Sequence, residues 1–356
     1  MSITPDGEHR AVRRLAILQN GGIRGDSGKT GLSLLRYSHA QIVAVIDPET
    51  AGRSLSELTG MNVAGNPPIV ASMAEALRFS PDAVAIGIAP SGGSLPAAWL
   101  DDLRLAVRAG VSIWNGLHTP LAKDPEIAKA IRPGVHVWDM RQEPRDLTVG
   151  TGAARELACR RVLFVGTAMA IGKMTAALEL DKAARARGMR SKFIATGQGG
   201  MMIAGDGMCL DAVRVDYASG AVQAEMVRHG PTHDVLWVEG QGSMLNPSST
   251  ATLPLIRGSQ PTHMILVHKA GANTLRSFKH ITIPSLDKVA AYYEMVTSAA
   301  GAFAPVKVVG VALNTQTLRA AEAKRHIEET AALTNLPCVD VVRGGSEILL
   351  DAVLKT

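Results

Sequence analysis

Gly166-Thr-Ala-Met-Ala-Ile-Gly-Lys-Met-Thr175 follows directly on the apolar run Arg161-Val-Leu-Phe-Val165. An apolar strand that enters a glycine-bounded turn and then a helix aims several backbone N–H groups at one point, where the positive helix end and a lysine add charge. The stretch therefore reads as an anion cradle able to hold a pyrophosphate, with Gly166, Thr167, Gly172, Lys173, Met174 and Thr175 as its cofactor-binding residues. The spacing departs from the common phosphate-loop pattern. Five residues rather than four separate Gly166 from Gly172, and Met174 stands between Lys173 and the hydroxyl of Thr175. The plainer alternative is a glycine-tight strand-to-helix turn carrying a solvated lysine.

Downstream, the pattern alternates between strand and helix. A helix is expected over 174–187, closed by Gly188, and a strand over 191–195 that delivers Thr196-Gly-Gln-Gly-Gly200. Asp211 and Asp216 follow, either a metal ligand or solvated helix carboxylates. Val235-Leu-Trp-Val238 is a buried strand ending in Glu239-Gly-Gln-Gly-Ser243, and an acid at that place in phosphate-loop proteins serves as magnesium ligand or base. Strands over 263–267, 306–313 and 337–342 alternate with helices over 286–300, 319–333 and 345–354, and place His268, Lys269 and Asn314 at strand ends. Right-handed crossovers put such loops on one edge of a parallel sheet, so Gly166–Thr175, Gln198, Glu239, Gln241, His268 and Asn314 are expected in one neighbourhood.

Upstream, Arg13-Arg-Leu-Ala-Ile-Leu18 is a short strand, followed by Gly21, Gly22, Gly25 and Gly28, a helix opening at Lys29-Thr30, and a strand over 41–46 ending in Asp47-Pro48. Strand, glycine turn, helix and strand with a terminal Asp outline a Rossmann-type unit, in which that acid meets a ribose hydroxyl. The glycines miss the dinucleotide spacing, and Gly28-Lys-Thr30 imitates a second phosphate loop, so a working nucleotide site, a residual fold signature and a loop lending Lys29 to a neighbouring cleft all remain open. The alternation continues through a helix over 73–79, a strand over 81–87, a loop over 88–96, a helix over 99–109 and strands over 111–114 and 135–138. His118 and Arg141 lie just after the last two strands, where they can line a cleft, Arg141 as a carboxylate clamp. Residues 143–152 read as a linker, giving a Rossmann-like domain over 1–148 and a phosphate-loop domain over 149–356.

At 356 residues the chain has room for two domains. Hydrophobic residues at 46% against 19% charged fit an α/β protein with buried parallel strands. The net charge of +5 could suggest nucleic acid, but it comes without a basic run and with only 4% aromatics, and a preference for anionic small molecules explains it equally well. Cys159, Cys209 and Cys338 are odd in number and show no paired spacing, which indicates neither a disulfide framework nor a zinc site and suits a reducing compartment. Residues 1–10 lack the apolar core of a signal peptide, and no segment approaches the ~18 apolar residues of a membrane span. A cytoplasmic enzyme without membrane or nucleic-acid partners is expected, with homo-oligomerisation on general grounds.

Taken locally, Gly166-Thr to Gly172-Lys, Val238-Glu-Gly-Gln-Gly242 and Leu313-Asn314 resemble the dethiobiotin synthetase branch of phosphate-loop proteins, where the acid lies near metal or substrate and the asparagine contacts adenine. The whole chain resembles more closely a two-domain family long known only as a domain of unknown function. The resemblance is carried by Ala44-Val-Ile-Asp47, Ile86-Gly-Ile-Ala-Pro-Ser-Gly-Gly93, Asn115-Gly-Leu-His118, Gly172-Lys-Met-Thr175, Ala195-Thr-Gly-Gln198 and Val238-Glu-Gly-Gln-Gly-Ser243. That family includes the DgcN-type D-glutamate N-acetyltransferases, so the resemblance implies transfer of an acetyl group from acetyl-CoA to an acidic amino acid. The loop departs from the family pattern in having Ala168-Met169 where polar residues, typically Asp-Cys, stand. On this reading Lys173 and the loop N–H groups hold coenzyme A phosphates, with Gln198 and Asn314 as further cofactor-binding residues. Glu239 or His268 takes the proton, and His118, Arg141, Gln241 and Lys269 meet the substrate, Arg276 being a further cation for its carboxylates. No metal is called for. The alternatives are an ATP/Mg2+-dependent kinase or ligase, with Thr175 and Glu239 around the ion, and a nucleotide-sensing binding protein.

Overall fold

The computed structural model describes residues 12–89, 93 and 95–355. The first ten residues, and Pro90, Ser91, Gly92 and Ser94 of the loop expected over 88–96, lie outside them. The chain packs as two compact units. One runs to Arg145 and includes Gly197–Ala212; the other comprises Asp146–Thr196 and the chain from Val213.

The first unit is built on β1 (Arg14–Leu18), β2 (Gln41–Ile46), β3 (Ile69–Val70), β4 (Ala83–Ile86), β5 (Ser112–Asn115) and β6 (Val137–Asp139), all parallel in the order β3-β2-β1-β4-β5-β6. β1, β2, β3 and β4 are near-continuous runs of Val, Ile, Leu and Ala because both faces are covered. Leu18, Ile46, Met73, Ile86, Leu103 and Ile113 belong to one such core. The order reverses at β1, and the crevice beyond its carboxyl end is where open α/β sheets bind ligands.

The second unit carries β7 (Arg160–Gly166), β8 (Ser191–Ile194), β9 (Val235–Val238) and β10 (His263–Lys269). An antiparallel pair follows, β11 (Thr274–Leu275) with β12 (Phe278–Thr282), then β13 (Lys307–Asn314) and β14 (Cys338–Val339). The main sheet is parallel in the order β14-β13-β10-β7-β9-β8. Its reversal falls at β7, so Gly166–Thr175 emerges at the switch point. Beneath it Trp237 is fully buried beside Phe164, and its indole N–H donates to Ser191 Oγ at 2.8 Å. The two units are thus a Rossmann-like and a phosphate-loop-like α/β fold.

The sequence reading gives no range for β3, the β11–β12 pair or the helices Leu55–Thr59, Pro125–Ala130, Val215–His229 and Thr252–Ser259, and has a glycine loop where the helix Gln198–Ala204 begins. The strands and the helix Leu55–Thr59 are two to five residues long, too short to show a hydrophobic period, and in Val215–His229 the apolar residues are not gathered on one face. Among the described residues no helix is long and apolar enough to cross a membrane. All three cysteines are buried thiols; Cys209 donates to Met201 Sδ at 3.5 Å, and burial pushes Cys338 up to about 12.

Gly240 follows β9 at its closest approach to β7, and a Cβ there would stand 1.7 Å from the Phe164 carbonyl oxygen and 2.8 Å from Lys173 Cδ. Only a hydrogen fits. Gly240→Ala is expected to cost about 1–3 kcal/mol, the range for overpacking, and to lower the midpoint of a circular-dichroism melt by several degrees. An unchanged midpoint would show that β7 and β9 can part there freely.

Candidate functional site

The loop after β7 turns through two left-handed residues, Ala170 at φ 57° and Gly172 at φ 112°, and opens the helix Lys173–Ala186. Gly172 at the start of that helix provides no side-chain cap, and its first turn holds no acid. The first N–H taken up by the helix is that of Ala176, which donates to Gly172 O at 2.9 Å. Those of residues 168–175 meet no acceptor among the described residues. Unsatisfied N–H groups at the positive end of a 14-residue helix form the cradle the sequence suggests.

Lys173 does not lie on the surface. Its side chain is buried, passes Gly166 and Gly240, whose missing Cβ atoms would stand 3.3 Å and 2.8 Å from its Cδ, and donates from Nζ to Ala168 O at 2.8 Å. Burial lowers its pKa to about 8, against the opposing attraction of Glu239. Glu239 is also buried and accepts the Thr196 N–H at 2.9 Å, while Thr196 Oγ1 donates to the Glu239 carbonyl at 2.8 Å. The strand pairing of β8 and β9 brings these together: Ile194 lies opposite Val238.

On the other side of the loop, Thr167 Oγ1 and His268 Nδ1 are 2.8 Å apart. Desolvation, with a smaller contribution from His326, depresses His268 to about 4, so the imidazole is neutral at pH 7 and serves in the hydrogen bond without charge. Asn314, opposite Lys269 in the β10–β13 register, donates from Nδ2 to Ile171 O at 3.0 Å and so pins the loop before its last turn. Gln241 gives its carbonyl to Thr252 Oγ1 at 2.9 Å. Met174 and Thr175 lie half-buried in the helix's first turn. Tyr293, absent from the sequence reading, donates to Gly166 O at 2.7 Å and accepts the Met244 N–H at 3.1 Å. A tyrosine inside an amphipathic helix gives no sequence signal of such a reach.

His118, Arg141 and Gln198 belong to the first unit. Arg141 Nη1 and His118 Nε2 are 2.9 Å apart, and Arg141 Nε donates to Gly116 O at 2.6 Å. The guanidinium also pairs with Asp211, so that carboxylate, read from sequence as a metal ligand or a solvated helix residue, is an ion-pair partner. Gln198 starts the helix Gln198–Ala204 and lies over Gly116, where a Cβ would come 2.7 Å from its Cγ. Among the described residues no three His, Cys, Asp or Glu side chains are grouped to hold a metal ion.

Two family models match the chain: a domain of unknown function described as DUF1611_N, Rossmann-like, over residues 48–143, and one described as DUF1611_C, P-loop, over residues 148–350. A D-glutamate N-acetyltransferase from Tritonibacter scottomollicae is 34% identical over 284 residues, 79% of this chain and 84% of that protein. Another of that name from Pseudoalteromonas sp is 31% identical over 283 residues, 78% and 83%. The crystal structure of a DUF1611 family protein from Anabaena variabilis is 55% identical and superposes with a TM-score of 0.93, covering 97% of this chain and all of that one. With both halves matched in order and a relative this similar along its whole length, the chain belongs to the DUF1611 family.

Proposed function

We propose that the protein is an N-acetyltransferase that moves the acetyl group of acetyl-CoA to the amine of an acidic amino acid, D-glutamate or a close relative. The observation that carries this is the buried Lys173 beneath unbonded loop N–H groups, a site made for phosphate oxygens, in a chain whose relatives bear that enzyme's name. In this reading residues 166–175 bind coenzyme A phosphates, and Asn314 and the Thr167–His268 pair hold the loop in shape. The neutral amine attacks the thioester carbonyl, the carbon–sulfur bond breaks, coenzyme A leaves as thiolate, and the amine proton passes to a base. Glu239, buried next to Lys173, is the proposed base, while His268 is engaged with Thr167 Oγ1 through Nδ1. His118 and Arg141 of the first unit, or Gln241 and Lys269 of the second, are proposed to meet substrate carboxylate.

Thermal unfolding with coenzyme A, acetyl-CoA and ATP·Mg2+, each at about a hundred times its Kd, separates the readings. A ligand of the folded state adds about 2.7 kcal/mol and a shift of several degrees. Stabilisation by the coenzyme A pair is expected, and Lys173→Ala should abolish it. Stabilisation by ATP·Mg2+ alone would favour the kinase or ligase instead.

The depressed Lys173 gives this binding a pH dependence. Bound phosphate restores the ammonium, whereas in the free protein it is lost above pH 8, so coenzyme A should bind about tenfold more weakly at pH 9 than at pH 7. The free protein runs the other way. A lysine lowered on folding makes stability rise between pH 8 and 10.5, because the unfolded chain holds the proton there and the folded one does not. Calorimetric affinities independent of pH would place the phosphates away from Lys173.

Glu239→Gln tests the base. A fall in kcat of about 10²–10⁴, with coenzyme A affinity kept, is expected. Lost affinity with kcat kept would leave Glu239 only as the counter-charge of Lys173.

A further inference from the structure

Among the described residues of the first unit, four side-chain oxygens are enclosed without a hydrogen-bond partner: Gln19 Oε1, Asn20 Oδ1, Asp47 Oδ2 and Thr50 Oγ1. Gln19 is a packing element. Its amide lies between Gly28, Gly31 and Gly87, donates to Gly28 O at 2.8 Å, and leaves no room for a Cβ on any of the three. The other three lie together at the carboxyl ends of β1 and β2. Asn20 N donates to Ile46 O at 3.1 Å, Gly21 N to Asp47 Oδ1 at 2.9 Å, Glu49 N to the same oxygen at 3.2 Å, and Thr50 N to Asp47 O at 3.2 Å. Asp47 is wholly buried and Thr50 is 5% exposed. One carboxylate oxygen of Asp47 is thus fully used by the backbone, while the other is held out of water with nothing to accept from. Leaving such a group unmet costs about 1–3 kcal/mol, more for a charged one.

These atoms are acceptors, with one hydroxyl, so they call for a ligand that brings donors. An anion does not fit. Glu49 stands over the same turn, its Oε1 2.9 Å from where a Cβ on Gly21 would be, and adds a second negative charge. The glycine turn is also partly closed on itself, since four of its N–H groups are taken: Gly21 by Asp47, Gly22 by Gln19 O at 2.7 Å, Gly25 by Gly22 O at 3.3 Å and Gly31 by Gly87 O at 2.7 Å. Two adjacent hydroxyls on one ring supply the matching pair of donors, and an acid at the end of the second strand is where Rossmann-type sheets hold ribose. Exposed Glu49 is a side chain that can swing aside for entry.

We propose that the crevice at the ends of β1 and β2 binds the 2′,3′-diol of a ribonucleoside or ribonucleotide, the hydroxyls donating to Asp47 Oδ2 and Asn20 Oδ1 with Thr50 beside them. This ligand is distinct from coenzyme A, whose ribose carries phosphate on its 3′ oxygen and has no free diol. The inference therefore stands apart from the reading of the phosphate loop.

Adenosine is the probe, since it brings the diol without phosphate. Its affinity, followed by saturation-transfer NMR on the full chain, is compared with that of 2′,3′-dideoxyadenosine. Adenosine should bind at least tenfold more tightly. Asp47→Asn keeps an acceptor for the Gly21 and Glu49 N–H groups but presents NH2 in place of the unmet oxygen, and should lower adenosine affinity tenfold or more. Thr50→Val, which leaves Asp47 untouched, should weaken binding severalfold and serves if the first variant does not fold. Lys173→Ala should have no effect. No binding of adenosine, equal binding of the two nucleosides, indifference to both first-unit substitutions, or loss of binding in Lys173→Ala would each overturn the proposal.

Discussion

A cation kept out of water is the constraint around which the second unit is arranged. Lys173 titrates near 8 because burial penalises its ammonium, a cost of roughly 3 kcal/mol at neutral pH when set against an exposed lysine. The fold tolerates it through what lies near: the Ala168 carbonyl on Nζ, Glu239 at the end of the neighbouring strand, and glycines at 166 and 240 that leave its methylenes a channel. None of these replaces full hydration. An external anion, as in the proposed function, would add the missing compensation and share the unbonded N–H groups of the same loop. Loop conformation, strand order and charge are therefore one arrangement.

The two units show how the same local pattern leads to opposite chemistry. Both place a glycine-rich turn between the first strand of a parallel sheet and a helix, at the point where strand order reverses. In the second, the turn's N–H groups are left open and a lysine lies beneath them. In the first, the turn closes on itself: a Cβ on Gly28 would stand 2.0 Å from Gly22 O, and the Gln19 side chain fills the space under the helix start. The glycines of one loop leave its N–H groups unbonded and make room for a lysine side chain. Those of the other admit a glutamine.

This is also where the sequence was most and least legible. Long apolar runs such as those around β7, β9 and β10 declare buried strands by composition, and the order of strand and helix follows from alternation. The phosphate loop was readable because its function resides in backbone geometry, which glycine positions reveal. What the loop's partners do is another matter. That Thr167 meets His268, that Asn314 ties Ile171 and that Tyr293 reaches Gly166 depend on register between strands far apart in sequence. Gln198 illustrates the limit: it follows β8 directly, as the alternation requires, yet packs within the other unit. No periodicity records which unit a crossing segment joins.

The crown of the phosphate loop adds a further argument about its ligand. Ala168, Met169 and Ala170 carry no polar side chain, so the crown of the loop offers polar contacts only through its backbone. Ala170 is held left-handed, a conformation costing roughly 1 kcal/mol for a residue with a Cβ. Such strain survives only where neighbours fix the chain, and here Lys173 bonds the carbonyl at 168 and Asn314 that at 171. The geometry is thus set before any ligand arrives. Met169, 42% exposed, adds a flexible apolar surface beside the N–H groups. A ligand combining phosphates with a long, partly apolar arm uses both features. On the proposed reading that ligand is coenzyme A; a nucleoside triphosphate clasped around a metal ion would use the first feature and leave the second idle.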